Sequence, residues 1–258
     1  MNILFIGDIF ASAGRHVTKV KVKELREKYN IDLCIANCEN AASGRGITEK
    51  IAGDLFNDEI DVLTGGNHLW DRKESFSYLK IERRIVKPAN YPEKAIGFDY
   101  FISTTPKGKV AIINLCGQSF MNVANSPFVT LEKLIKEVKD KSDYIFVDFH
   151  AEATAEKRSF GFYFDGQVSA IVGTHTHIQT ADEEILPKGT AYITDVGMTG
   201  SHDSVIGIKK EIIIEKMMTG MPNRYEPSKG GLMINAVVIE FDDKTKKAKK
   251  IFRIREKV

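Results

Sequence analysis

No stretch of the chain approaches the roughly 18 consecutive apolar residues that a membrane-spanning helix needs, which excludes such a helix and leads us to expect a cytoplasmic protein. An excess of either charge is also lacking: Lys plus Arg number 37 against 35 Asp plus Glu, a formal net charge of +2. Non-specific binding to nucleic acid draws on a broad basic field, so stable nucleic-acid binding is not expected. Cysteine is scarce. Cys34, Cys38 and Cys116 are odd in number and form no secreted framework, so they read as reduced thiols. Cys34 and Cys38 also lack the second Cys/His pair that a structural zinc site would require. Internal repeats, Pro-rich linkers and low-complexity tracts are missing, and residues 1–258 read as one domain. The opening run Met1–Asp8 has no basic leader and reads as a first strand rather than a signal peptide. Neither a Gly-x-Ser-x-Gly elbow nor a P-loop cradle is found, which argues against a covalent serine hydrolase and a P-loop nucleotidase.

What is present is a rhythm. Short β-rich runs alternate with helical patterns: Asn2–Ile6 then Val17–Tyr29, Asp32–Ala36 then Thr48–Asn57, and Asp61–Thr64 then Asp71–Leu79. Further strands are expected at Tyr100–Thr104, Val110–Leu115, Tyr144–Phe149, Ala170–Val172 and Ala191–Ile193. A helix is expected at Leu131–Lys139 after a cap signal at Thr130. Leu232–Phe241 and Lys249–Arg255 flank the polar turn Asp242–Thr245, which predicts an antiparallel hairpin closing one sheet edge. Ser119–Pro127, Gly197–Gly207 and Met218–Gly231 read as long loops. The fold class is therefore α/β, a layered β-sheet core flanked by helices.

The chemistry lies where the apolar runs end. Gly7-Asp8 follows the first, Asn37-Cys38-Glu39-Asn40 the second, and Gly65-Gly66-Asn67-His68 the third. Asp148-Phe149-His150 and Gly173-Thr174-His175-Thr176-His177 close two later ones. Each motif alone has a plainer explanation: an Asp-capped turn, a polar pair at a helix start, a hydrogen-bonded interior histidine. The carboxyl ends of parallel strands share one rim, however, so these residues converge on one crevice. Carboxylates, amides and imidazoles crowded there without partners would cost free energy. Divalent cations would remove that cost, and mixed N/O donors suit Fe, Mn, Zn or Co better than Mg or Ca.

In order and content these motifs resemble the calcineurin-like metallophosphoesterase superfamily, with two departures. Phe10 stands where the superfamily has a histidine, and the second motif reads Asn37-Cys-Glu-Asn40. Together with Gly66-Asn-His-Leu-Trp-Asp71, Asp148-Phe-His-Ala-Glu-Ala-Thr154 and Asp195-Val-Gly-Met-Thr-Gly200, these departures are similar to the YmdB-type bacterial phosphodiesterases over nearly the whole chain. The resemblance implies one metal held by Asp8, Glu39, Asn40 and His177, and a second held by Glu39, Asn67, His150 and His175. Glu39 bridges them, and Asn40 fills the role vacated at Phe10. Iron is implied, with manganese as a substitute. His68 is implied as a general acid beside a hydroxide activated by both metals. The expected substrate is a cyclic nucleotide, 2′,3′ or 3′,5′.

Two alternatives stand beside this reading. One is a phosphomonoesterase or nucleotidase, and the other a metal-binding regulatory protein that acts through RNA or protein partners. A homo-oligomer is compatible with either. Arg45, Arg158 and His202 carry no assigned role; the arginines read best as solvated, and His202 as a loop histidine within reach of substrate.

Overall fold

The computed structural model describes residues 1–122 and 124–258. In chain order the strands are β1 (Asn2–Ile6), β2 (Asp8–Ile9), β3 (Leu33–Asn37), β4 (Val62–Thr64), β5 (Ile85–Val86), β6 (Tyr100–Thr105), β7 (Gly108–Cys116), β8 (Tyr144–His150), β9 (Ala170–Thr174), β10 (Glu184–Ile185), β11 (Ala191–Ile193), β12 (Met198–Ser201), β13 (Leu232–Phe241) and β14 (Ala248–Lys257). The helices are α1 (Ala11–Lys28), α2 (Glu49–Asn57), α3 (Phe76–Leu79), α4 (Pro127–Val138), α5 (Thr154–Tyr163) and α6 (Lys210–Thr219).

The strands divide into two sheets. One runs β2-β12-β13-β1-β3-β4-β5 with β14 outside β13, and the other runs β10-β11-β9-β8-β7-β6. Neighbours β1, β3, β4 and β5 are parallel, as are β7, β8, β9 and β11. Their inner faces meet in one apolar layer that includes Phe5, Ile35, Ile112, Phe146, Val172 and Val237. Helices α1 and α2 cover the outside of the first sheet through Val22, Leu25 and Leu55. On the outside of the second sheet, α4 and α5 bury Leu131, Leu134 and Phe160. The result is four layers, α/β/β/α, the layered α/β class expected, with the core divided between two sheets.

The C-terminal hairpin forms as expected, and β14 is the edge strand. Several boundaries move for physical reasons. Helix α1 starts at Ala11 rather than Val17, because its first turn is pressed onto β12. A Cβ on Gly14 would lie 2.5 Å from the Thr199 carbonyl oxygen. Helix α4 starts at Pro127, capped by Ser126 rather than Thr130, with proline in the first turn where its missing N–H costs nothing. The helix expected at Asp71–Leu79 shrinks to a 3-10 turn at Lys73–Ser75 and the single turn α3, since Arg72 is tied to the Ala42 and Arg45 carbonyls. The stretch Gly197–Gly207 is only partly loop, because β12 pairs with β2 and β13 inside it.

Candidate metal centre

Chain geometry brings the strand endings together as the sequence suggested, with a division of labour. Asp8 on β2, Glu39 and Asn40 after β3, and Asn67 after β4 come from the first sheet. His150 at the end of β8, and His175 and His177 after β9, come from the second. All the oxygen-bearing candidates therefore face all the imidazoles across the seam. Within each sheet the backbones beside these endings run close together: a Cβ on Gly7 would lie 1.9 Å from the Gly197 carbonyl oxygen, and one on Gly173 would lie 1.7 Å from that of Thr194.

Ligand atoms of Glu39, His150 and His175 lie within 4.8 Å of one another. His150 Nε2 is 3.1 Å from Glu39 Oε1, from Asn67 Oδ1 and from His175 Nδ1. Asn40 Nδ2 bridges Glu39 Oε1 at 3.1 Å and His177 Nε2 at 3.2 Å. The His175 backbone N–H donates to Asp8 Oδ2 at 3.2 Å, while Asp8 Oδ1 is buried with no hydrogen-bond partner. A side chain at Gly66 would fill the space between, its Cβ 2.2 Å from Glu39 Oε2 and 2.6 Å from His150 Nε2. The seven candidate ligands thus form one connected group.

The outer contacts decide which ring nitrogen faces the centre. Thr174 donates its hydroxyl to Asp148 Oδ1 at 2.7 Å, so its lone pair receives the Nδ1 proton of His150 at 2.9 Å. Nε2 of His150 then faces Glu39 Oε1, Asn67 Oδ1 and His175 Nδ1 together; a single proton on Nε2 cannot serve all three, whereas a cation that displaces it can. His177 likewise donates Nδ1–H to the Ile206 carbonyl at 3.0 Å, which turns its Nε2 inward. His175 reaches Glu152 Oε2 through Nε2 at 3.1 Å, leaving Nδ1 for the centre. Two donors bound at right angles to one ion at about 2.1 Å sit about 3.0 Å apart, close to the spacings found here. Turning the Asn40 amide by 180° presents Oδ1 to the same point, and amide orientation follows whatever occupies it. The donor set fits a mixed N/O transition-metal site.

Electrostatics agree. Burial raises the Asp8 carboxyl above its ordinary range, an effect only partly countered by His177 and His150. Burial would also raise Glu39, but the charge and hydrogen bond of His150, with the His68 amide, bring it down to about 2. Burial disfavours a charged His150, yet Glu39 and Asp8 lift it to about 9. Burial and neighbouring His150 press His175 down to about 3, so it stays neutral and able to ligate. The two buried carboxylates draw positive charge to the point where the imidazoles meet.

Three supporting residues, Asp148, Lys157 and Asp195, had no role in the sequence reading. Asp148, beneath His150, accepts from Asn37 Nδ2 at 3.0 Å and Thr64 Oγ1 at 2.5 Å, which joins the sheets. Burial raises its carboxyl to about 6. Lys157 on α5 pairs with Asp195 at 2.7 Å, both fully buried. Lys157 Nζ also donates to the Thr174 carbonyl at 2.8 Å, and Asp195 Oδ2 accepts from Thr176 N at 3.1 Å. That ion pair grips the loop on both sides of His175. The loop needs gripping, since His175 and His177 have φ of +102° and +66°, a left-handed region that costs side-chain-bearing residues of order 1–3 kcal/mol each. Their only sequence signal was Asp148 two residues before His150, on the same strand face.

His68 is oriented from both ends. Its backbone N–H donates to Glu39 Oε2 at 2.8 Å, and Nδ1 is 3.0 Å from Asp71 Oδ2. Its ring borders a cavity of about 310 Å³ that opens over Glu39, Asn40, His175 and His177. Arg45 also lines this cavity, 4.0 Å from Asp71, so it stands nearer the chemistry than its solvated reading implied. Arg158 is committed to Glu184 and the rings of Phe162 and Tyr192. His202 turns its Nε2 to the Met198 carbonyl at 2.9 Å and does not line the cavity.

Residues 4–254 match the family model described as YmdB-like protein. The chain belongs to that family. It is 48% identical over 254 residues to a 2′,3′-cyclic-nucleotide 2′-phosphodiesterase of Bacillus subtilis, covering 98% of this chain and 96% of that one. It is 38% identical to a putative phosphatase/phosphodiesterase of Mycoplasma pneumoniae, covering 99% and 92%. A hypothetical protein from Thermus thermophilus superposes with a TM-score of 0.94 at 36% identity, covering 100% and 99%. A putative 5′-nucleotidase of Staphylococcus aureus, at 16% identity and a TM-score of 0.60 over 98% of this chain and 54% of that one, shares the fold alone. The layered fold expected for this YmdB-like chain is the one observed.

Proposed function

We propose that this chain is a phosphodiesterase that hydrolyses cyclic nucleotides, 2′,3′ first and 3′,5′ within the same class, with two transition-metal ions. The observation that carries the reading is the convergence of seven buried or half-buried N and O donors, several of whose lone pairs face one another. Asp8, Glu39, Asn40 and His177 would hold one ion, and Glu39, Asn67, His150 and His175 the other, iron being the first choice and manganese a substitute. Bound there, such ions supply Lewis acidity toward phosphoryl oxygens and toward an attacking water.

The remaining work falls to the chain itself. Glu39 reaches both halves of the site, and its Oε2 is fixed by the His68 amide, so the bridge and the acid are held in register. With Nδ1 engaged by Asp71, His68 has Nε2 left for the leaving oxygen, which must gain a proton as the ester bond breaks. Arg45 stands at the cavity rim, 62% exposed, where a guanidinium can meet a phosphate oxygen. The diester preference follows the 48% identical phosphodiesterase rather than the metal site, which suits phosphoester hydrolysis in general.

The test couples metal analysis of purified protein to hydrolysis of 2′,3′- and 3′,5′-cyclic nucleotides, with bis-p-nitrophenyl and p-nitrophenyl phosphate in parallel. Activity should vanish on chelation, return with Mn²⁺ or Fe²⁺, and favour the diesters. His68→Ala should lower turnover by about 10²–10⁴ with metal content intact, the usual contribution of a positioned acid. Faster cleavage of the monoester would overturn the diester assignment, and undiminished turnover in His68→Ala would remove the acid.

A further inference from the structure

The cavity has a second wall that the metal chemistry does not use. Val205 and Ile208 exchange both backbone hydrogen bonds, at 2.9 and 3.0 Å, closing a two-residue turn over Ile206 and Gly207. Both central residues have positive φ, +46° and +99°, the pattern of a type I′ turn. Asn-Gly, Asp-Gly or Gly-Gly normally fill such turns, because a β-branched side chain at positive φ is an outlier. Here the first position is isoleucine, and its side chain is 49% exposed, so no core packing offsets the strain. The same Ile206 carbonyl receives the His177 Nδ1 proton, which locks the turn to the metal centre.

Next to the turn lies Tyr225, 41% exposed. Its segment is pinned there by the Lys209 N–H to Glu226 carbonyl bond at 3.0 Å and the Ser228 N–H to Gly207 carbonyl bond at 2.8 Å. Beneath the turn, a Cβ on Gly207 would lie 2.6 Å from Phe10 Cδ1, so the Phe10 ring supports it from below. Ile206, Ile208, Tyr225 and Phe10 all line the cavity, on the side of His177. An apolar and aromatic face held at fixed distance from a phosphate-handling centre suits a planar ring carried by the same substrate.

We propose that Ile206 and Tyr225 form a nucleobase subsite, so that the enzyme selects nucleotide diesters over diesters that lack a base. This rests on the phosphodiesterase reading above. The strained turn is kept because asparagine, which suits the backbone better, would withdraw the apolar surface that the base contacts.

Ile206→Asn separates this role from a structural one, since the two predict opposite signs. The substitution should raise the melting temperature, because asparagine is at ease at this φ. It should also cut the preference for 2′,3′-cyclic AMP over glycerol 1,2-cyclic phosphate, taken as a ratio of kcat/KM, by about tenfold, through KM. Tyr225→Ala should shift the ratio in the same direction. Calorimetric binding of 2′,3′-cyclic AMP to the chelated full chain should weaken in both variants, a readout independent of turnover. A ratio unchanged in both variants would overturn the subsite, as would parallel losses on the two substrates, which would mean that the turn acts through His177 alone. Wild-type protein that shows no preference between the two diesters would also refute it while leaving the phosphodiesterase reading intact. Cleavage of neither diester would end both.

Discussion

Asn40 is the residue on which the first half of the proposed metal site turns, because in that proposal it takes the role of the histidine that Phe10 replaces. Its amide touches both Glu39 and His177, and Phe10 packs edge-on against His177 with ring centroids 5.6 Å apart. Asn40→Ala should therefore reduce bound metal from two ions per chain toward one, as read by elemental analysis. Asp8→Asn should act in the same direction. Asp71→Asn should lower turnover by less than the about 10²–10⁴ expected of His68→Ala, because it loosens the acid without removing it. Metal content should not change in that variant. The seven candidate ligands and His68 were legible in the sequence because each ends an apolar run. The roles of Asp148, Lys157 and Asp195 were not, since what gives them meaning is a contact far away in the chain, and Asp71, three residues from His68, was quoted without a role. Asn37 to Asp148 spans 111 residues, and Lys157 to Asp195 spans 38.

At the scale of elements, α5 and the loop after β9 act as one device. Lys157→Met would leave Asp195 buried and unpaired, a loss on the order of 3–5 kcal/mol. It should appear as a lowered denaturation midpoint together with weaker metal binding. In the double variant Lys157→Met/Asp195→Leu stability should recover much of the way, since apolar pairs often replace buried ion pairs at little cost. Metal affinity should stay about 10–100-fold low, because the grip on Thr174 and Thr176 is gone. Full recovery of affinity would show that the pair is merely structural. Strands buried on both faces, such as β1, β3 and β9, were readable from their continuous apolar runs. Helix α5 was hidden, because its residues Thr154–Tyr163 carry a weak apolar rhythm and bury Lys157 along with Phe160. Helix α6, which buries none of its residues, gave no core-facing stripe to find.

For the molecule as a whole, the sequence implied the layered α/β class but not the number of sheets, and the structure has two whose strand endings meet at the site. Strand order cannot be read from alternation alone, so the partition at β6 and β7 was out of reach. Among the described residues no helix is long and apolar enough to cross a membrane. If metals bind only the closed sandwich, saturation at 100-fold above Kd should add about 2.7 kcal/mol. For a chain of this size that corresponds to a rise of roughly 5–10 °C in Tm. Scanning calorimetry with and without Mn²⁺ would check it, and an unchanged Tm would contradict binding across the seam.

With oxygen donors on one sheet and imidazoles on the other, the proposed metal pair would be a clasp as well as a reagent. Neither sheet holds a complete ligand set by itself, so the first widening of the seam should release the ions and end hydrolysis before the helices or outer strands loosen. A partly opened chain would then be inert toward phosphoesters, which confines the chemistry to intact protein.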